Sequence, residues 1–201
     1  MPSRGRTVRE IEVKLHVTDI DGLIRELRRL GCHCSGRVLE RNTLFDTPDS
    51  DFRRRGRLLR VRIETPAASG LIRGGLRRTL ITSKSPAPAS ARSRYKEKLE
   101  RELAVRLPHS WTAILRSLGF RPGFSYEKYR TTFRLPGLHL DLDETPVGVF
   151  LELEGSPKAI DRVAGTLGFA GRDYIRATYW ELNAAECRRR GRIPRNMLFA
   201  A

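Results

Sequence analysis

Glu10-Ile11-Glu12-Val13-Lys14-Leu15 alternates charge and hydrocarbon at every step. Because a β-strand sends successive side chains to opposite faces, Glu10, Glu12 and Lys14 share one face while Ile11, Val13 and Leu15 share the other. Carboxylates two positions apart on a strand stand roughly 7 Å from each other. That spacing suits groups that share a hard cation and its waters, or that hold neighbouring ions, with the ammonium beside them for an anion. One such stretch is also what an ordinary amphipathic strand with a wet face looks like, so its weight depends on repetition.

The pattern recurs along the chain. Leu58 to Ile63 sets Arg60 and Arg62 opposite Leu59, Val61 and Ile63. Arg94 to Leu103 places Arg94, Lys96, Lys98, Glu100 and Glu102 on one side and Tyr95, Leu99 and Leu103 on the other, where Glu97 and Arg101 are exceptions. Tyr126 to Arg130 contributes Lys128 and Arg130, and Phe150 to Glu154 repeats the carboxylate pair as Glu152 and Glu154, backed by Leu151 and Leu153. Exposed sheet faces normally mix in Ser, Thr and Gln, whereas these are nearly all ionic. The expected fold is α+β: a closed antiparallel β-barrel whose charged interior forms a tunnel and whose apolar outer side is covered by helices. An open sheet with helices on one face and solvated charges on the other would give the same alternation. In a closed barrel the inward cations would repel one another unless a polyanion sat among them, bridged by divalent metal to the carboxylates. Truncating outward Ile11, Val13, Leu59 or Leu153 is expected to cost about 2 to 5 kcal/mol. The inward charges are expected to be neutral, or even stabilising, to remove.

Several segments match the motifs of a known family in order. They are Glu10-x-Glu12-x-Lys14, Asn42-Thr43-Leu44-Phe45-Asp46-Thr47, Leu59-Arg60-x-Arg62 and Thr82-x-Lys84-x-Pro86, followed by the basic-then-acidic run from Arg94 to Glu102. Lys128-x-Arg130, Gly148-x-Phe150-x-Glu152-x-Glu154 and Tyr179-Trp180-Glu181-Leu182 complete the series. Over about residues 8 to 182 the chain resembles the CYTH superfamily, the triphosphate tunnel metalloenzymes named for class IV adenylate cyclases and thiamine triphosphatases. It departs at Glu40, where many members carry Gln, at Leu44, which replaces a usual Tyr, and in the stretched spacing between Arg94 and Glu100. The resemblance implies that Lys14, Arg60, Arg62, Lys84, Arg94, Lys128 and Arg130 bind a triphosphate, with Lys14 and Lys84 nearest to catalysis. It implies Mg²⁺ or Mn²⁺ on Glu10, Glu12, Glu100, Glu102, Glu152 and Glu154, in a monomer or a homodimer.

The remainder of the chain is consistent with one domain over residues 1–201, its core at about 8–182 and a basic helix and tail at about 183–201. Lys and Arg number 39 against 23 Asp and Glu, a formal charge of +16 that favours anionic ligands without choosing among them. Cys32, Cys34 and Cys187 form neither an even set nor a Cys-x-x-Cys pair, and His16, His33, His109 and His139 are scattered, which argues against structural zinc. With no signal-like apolar segment after Met1 and no run of spanning length, a soluble cytoplasmic location is expected and a membrane partner is not. Helical spacing predicts helices over residues 18–30, 109–118, 157–167 (capped by Ser156) and 173–189. Thr65 to Arg78 and Pro86 to Ser93 read as loops at the barrel mouth, where Arg73, Arg77 and Arg78 could gather an anion. The Arg188–Arg192 run and Arg195 read as a solvated helix end.

The expected activity is metal-dependent processing of a triphosphate, with hydrolysis of inorganic tripolyphosphate or another linear triphosphate placed first. Adenylate cyclisation of ATP is the alternative, and thiamine triphosphate is a further substrate candidate. Phe52, Tyr95, Trp111 and Trp180 are too scattered in sequence to choose among rings. A non-catalytic module binding polyphosphate or RNA is a different class of answer, disfavoured because the carboxylate pairs would repel a phosphate backbone in the absence of metal.

Overall fold

The computed structural model describes residues 7–67, 76–88, 93–106 and 108–200. Among these residues the strands are β1 (Val8–Val17), β2 (His33–Asp46), β3 (Leu58–Pro66), β4 (Arg78–Pro86), β5 (Lys96–Val105), β6 (Arg121–Leu135), β7 (Leu138–Thr145) and β8 (Gly148–Gly155). They close into an antiparallel barrel in the order β1-β5-β4-β3-β2-β6-β7-β8. The helices are α1 (Ile20–Arg29), α2 (Asp51–Arg54), α3 (Pro108–Ser117), α4 (Pro157–Thr166) and α5 (Tyr179–Arg189). None of the described helices is long and apolar enough to cross a membrane.

The alternation read from sequence becomes an inside and an outside. Val13 and Leu15 of β1, Leu138, Leu140 and Leu142 of β7, and Leu151 and Leu153 of β8 point outward into one core cluster. Leu23 and Leu27 of α1 and Ile160, Val163 and Ala164 of α4 cover it. A smaller cluster seats Leu115 of α3 against Phe45 and Val61. The wall is thin enough for backbones to crowd: a Cβ on Gly155 would come within 2.8 Å of the Gly137 carbonyl oxygen at the β6–β7 turn.

The helix starts follow local capping chemistry. Asp19 accepts from the Gly22 amide at 2.8 Å ahead of α1, and Ser156 accepts from the Ala159 amide at 3.3 Å ahead of α4. The last helix begins later than helical spacing predicted, at Tyr179 rather than near Asp173. Thr178 and Glu181 form a reciprocal capping box that fixes this start. The stretch before it is extended enough for Ile175 to pair with Lys14, on the edge that β1 leaves free once its ladder with β5 ends at Glu12 and Lys96. Two elements were not foreseen. In α2 the Asp46 carboxylate accepts from the amides of Phe52 and Arg53. Strand β7 carries His139, Asp141 and Asp143 on its inner face.

Antiparallel order gives the barrel two mouths. One is formed by the ends of β1, β2, β4 and β7 with the starts of β3, β5, β6 and β8, and the other by the opposite termini. The described ends of the two expected loops lie at opposite mouths, and Thr65, Pro66, Arg78 and Pro86 are strand. Residues 68–75, with Arg73, and 89–92 lie outside the described residues. Leu140 and Leu153 are fully buried. Either one changed to Ala should cost about 2 to 5 kcal/mol in the free energy from urea unfolding; a loss below about 1 kcal/mol would contradict an outward-facing core.

Candidate active site in the barrel interior

All eight strands send charged or polar side chains into a cavity of about 1550 Å³. Its densest part surrounds Glu40 of β2, which is 0 % exposed. The Glu40 carboxylate lies 3.0 Å from Arg62, 3.6 Å from Lys128 and 3.7 Å from Arg130. Strand register explains the grouping, since Glu40 is paired with Lys128, and Arg130 with Asp143. Arg130 also meets Asp143 at 2.6 Å, Asp141 at 2.8 Å and the Glu152 carboxylate. Lys128 holds Asp143 at 2.7 Å and Lys14 holds Glu152 at 2.8 Å. Tyr179, the first residue of α5, donates its hydroxyl to Asp143 at 2.6 Å, and its ring lies 4.8 Å from both the Lys14 and the Lys128 ammonium.

A second group lies across the cavity. Lys84 contacts Glu10 at 2.6 Å and Glu100 at 3.0 Å, and Lys96 pairs with Glu12 at 2.5 Å. Arg60 donates to Thr82 at 3.1 Å and to the Tyr126 hydroxyl at 3.3 Å, with Glu102 at 3.8 Å. Arg62 donates to the Asn42 side-chain oxygen at 3.2 Å.

The structure thus brings Lys14, Arg60, Arg62, Lys84, Lys128 and Arg130 together with Glu10, Glu12, Glu100, Glu102, Glu152 and Glu154. Arg94 is not among them. It precedes β5, its side chain is 56 % exposed, and it pairs outside the barrel with Asp161 of α4 while donating to the Tyr95 hydroxyl at 2.9 Å. Sequence reasoning missed Asn42, His139, Asp141, Asp143 and Tyr179 as interior groups, and met Glu40 only as a departure from a motif. The signal for three of them was present, because Leu138-His-Leu-Asp-Leu-Asp143 alternates just as the other strands do. These carboxylates bear on two expectations. Internal carboxylates pair with the inward cations and so offset their mutual repulsion within the chain. Removing one cation is then expected to be costly, since its partner would be left buried and uncompensated.

A model of the CYTH domain matches residues 8–167. The chain belongs to the CYTH domain family. It is 24 % identical over 184 residues to a Methanocaldococcus jannaschii protein named "Putative adenylate cyclase", covering 86 % of this chain and 97 % of that one. Among solved structures, the PH1819 protein of Pyrococcus horikoshii superposes with a TM-score of 0.73 at 22 % identity, covering 88 % of this chain and 99 % of that one. HpAC1 of Hippeastrum, described as a putative adenylyl cyclase with a dominant triphosphatase activity, gives a TM-score of 0.57 at 21 % identity, covering 92 % and 97 %. The last two likenesses concern the fold.

The charges in this CYTH barrel are unequally compensated. Burial would raise Glu12, but Lys96 and Lys14 hold it down to about 2. Burial likewise opposes ionisation of Glu40, and Arg62, Lys128 and Arg130 overcome it and keep the carboxyl well below the usual range. Glu10 behaves oppositely: burial, with Glu12, Glu100 and Glu154 as neighbours, lifts it to about 7 despite Lys84. Glu154 is raised by burial as well, with Glu12 and Glu100 adding to the shift. An excess of negative charge therefore sits around Glu10, Glu12, Glu100 and Glu154, and these donors are all hard oxygens of the kind Mg²⁺ and Mn²⁺ prefer. The donor chemistry fits such an ion, although among the described residues no three acidic, His or Cys side chains already converge on one point. Lys84 and Lys96 occupy the carboxylates that an ion would take.

Glu10 gives a pH signature with a definite sign. Between about 4.5 and 7 the native state keeps a proton that the unfolded chain has lost, so this group lowers stability as pH rises through that window. Glu10→Gln, mimicking the protonated form, should leave chelator-treated protein unchanged at pH 4 and stabilise it at pH 8 by about 1 to 3 kcal/mol in urea titrations. Equal effects at both pH values would refute the assignment. Glu12 has the reverse sign, its stabilisation fading as pH falls below 4.5 toward about 2. Arg130→Met should destabilise by about 3 to 5 kcal/mol, and a neutral melt for that variant would overturn the description of the network.

Proposed function

We propose that this chain is a divalent-metal-dependent enzyme that cleaves a linear triphosphate, with water as the usual acceptor. The observation that carries this reading is the convergence of Arg60, Arg62, Lys128 and Arg130 on one buried cavity opposite the carboxylate group of Glu10, Glu12, Glu100 and Glu154. Guanidinium groups suit bidentate contact with phosphate oxygens; Arg62, Lys128 and Arg130 already lie against carboxylate oxygens at 3.0, 2.7 and 2.6 Å, and Arg60 donates to the hydroxyls of Thr82 and Tyr126. Incoming phosphate oxygens would exchange with Glu40, Asp143 and Glu102 as partners. Lys14 and Lys84 stand between the two groups, placed to follow charge as it shifts toward the leaving phosphate.

Glu10, Glu12 and Glu154, with Glu100, Glu102 and Glu152 beside them, are the residues that would hold Mg²⁺ or Mn²⁺. A bound ion supplies charge neutralisation on the phosphate chain and a more acidic water. Phosphoryl transfer needs little covalent help from protein, so positioning and electrostatics are what these side chains contribute. Asn42 and Thr82 orient Arg62 and Arg60 through the hydrogen bonds already described, and Tyr179 closes the cavity behind Asp143. Cysteine usage fits a reducing cytoplasmic setting.

Cyclisation of ATP is the second reading, favoured by the name of the Methanocaldococcus relative. Ion-exchange analysis of products after incubation with Mg²⁺ or Mn²⁺ and, separately, tripolyphosphate, ATP and thiamine triphosphate distinguishes the two. Orthophosphate released from one of these substrates is the expected result, with Arg62→Ala and Glu12→Ala each reducing the rate at least 100-fold while the protein stays folded by circular dichroism. Cyclic AMP with pyrophosphate would make the chain a cyclase. No product in any reaction would leave a binding module as the reading.

A further inference from the structure

Two buried polar atoms in the barrel have no hydrogen-bond partner among the described residues, and they are complementary. Glu40 Oε1 is an acceptor without a donor, and Arg60 Nε is a donor without an acceptor. Both side chains line the cavity from neighbouring strands, β2 and β3. The rest of each is engaged. Glu40 Oε2 accepts from the Asn42 side-chain amide at 3.4 Å and has the Lys128 ammonium at 3.6 Å. Arg60 uses its terminal nitrogens on the Thr82 and Tyr126 hydroxyls. Arg62 at 3.0 Å and Arg130 at 3.7 Å attract the charge on Glu40 Oε1 without making a hydrogen bond of good geometry to it.

Glu40 cannot withdraw from an incoming ligand. It is 0 % exposed and sits mid-strand, paired with Glu64 of β3 on one side and Lys128 of β6 on the other. Burial opposes its ionisation, yet Arg62, Lys128, Arg130 and Arg60 keep it charged. These cations are themselves shared, Arg62 with Glu64 at 3.4 Å, and Arg130 with Asp141 and Asp143 of β7 and Glu152 of β8. An anion that takes Arg62 and Arg130 as partners therefore comes to rest against a carboxylate that stays ionised and stays in place. An ionised carboxylate only accepts hydrogen bonds. It repels a bare oxyanion, whereas an oxygen that carries a proton gives it a short, charge-assisted bond.

We infer that Glu40 reads the protonation state of the bound anion: Oε1 accepts from a P–OH group, so the site selects a hydrogen phosphate over an oxyanion of equal charge and similar size that carries no proton. The inference rests on the phosphate-binding reading of the interior and adds which form of the phosphate enters. A hydrogen phosphate supplies both missing partners, an ionised oxygen for Arg60 Nε and a proton for Glu40 Oε1. A proton-free tetrahedral anion supplies only the first. In a linear triphosphate only a terminal group carries such a proton near neutral pH, so Glu40 also marks where in the cavity the chain of phosphates ends. Glu40 is then a specificity-determining residue, and neutralising it should broaden the site rather than close it.

The test compares two ions that differ chiefly in this proton. At pH 8 orthophosphate is mainly HPO₄²⁻ and sulfate is SO₄²⁻, both tetrahedral dianions. Isothermal titration calorimetry of chelator-treated protein at constant ionic strength should show phosphate binding about tenfold or more tightly than sulfate, as expected for one hydrogen bond to a charged group. In Glu40→Gln, whose amide donates as well as accepts, the two ions should bind within about twofold of each other, chiefly because sulfate gains. Equal binding to the unaltered chain, or a preference that survives in Glu40→Gln, would overturn the inference and leave the phosphate reading standing. The comparison in the unaltered chain decides by itself if Glu40→Gln does not fold. Binding of neither ion would overturn the inference together with that reading. Discrimination without hydrolysis of any triphosphate would retain the role of Glu40 and reject the hydrolase.

Discussion

The interior of this barrel depends on buried opposite charges neutralising one another. Glu40, Asp143 and Lys128 have almost no access to water, and moving such groups out of solvent costs several kcal/mol each unless close partners compensate. The arrangement spreads that compensation over many strands, so no strand can be removed or shifted by one residue without stranding a charge. A one-residue slip would also turn the outward Leu and Val set inward. Ionic inside and apolar outside are therefore the same constraint seen from two faces of one sheet.

The compensation is close without being saturated. The Glu40 Oε1 atom lies 3.0 Å from Arg62, yet it makes no hydrogen bond of good geometry, and the Arg60 Nε is a buried donor without an acceptor. The Arg60 donor left in this state has bonding capacity to offer an incoming oxygen, whereas the Glu40 oxygen has it only for a donor. In the proposed function a phosphate entering the cavity would meet guanidinium groups already held in place by carboxylates, with which it would have to exchange. Under the proposed function, the carboxylates would act as placeholders that hold the guanidinium groups until phosphate oxygens exchange with them.

How much of this was legible in sequence follows from period. Charge alternating with hydrocarbon at Glu10–Leu15, Leu58–Ile63, Tyr126–Arg130 and Phe150–Glu154 specifies strand, face and core together, but it fits an open sheet as well, and the closed barrel was legible only through the ordered motifs of the family. Asp141 and Asp143 obey the same rule and were overlooked, although Leu138 to Asp143 alternates as strictly as Phe150 to Glu154. Arg94 shows the converse failure: its parity matches Lys96, but the strand begins after it, and parity means nothing beyond a strand's end. Glu40 and Tyr179 could not be placed from sequence at all. Glu40 depends on cross-strand register with Lys128, and Tyr179 depends on a capping box that starts α5 six residues later than the hydrophobic spacing suggests.

The C-terminal segment binds these parts into one device. Tyr179 ties α5 to Asp143, the Ile175 backbone pairs with Lys14, and Trp180, next to Tyr179 on the helix, packs edge to face on Phe124 near the start of β6. Beyond α5 the basic run is held locally, with Arg189 and Arg190 on Glu186, as expected for a solvated helix end. The chain then returns, burying Met197 beside Tyr126 and seating Asn196 on the Ser125 amide at 2.9 Å. Tyr126 is therefore touched by Arg60 from inside, Phe124 along its own strand and Met197 from the tail. A displacement of this tail would be felt by Phe124 and by Arg60 together, because one tyrosine connects them.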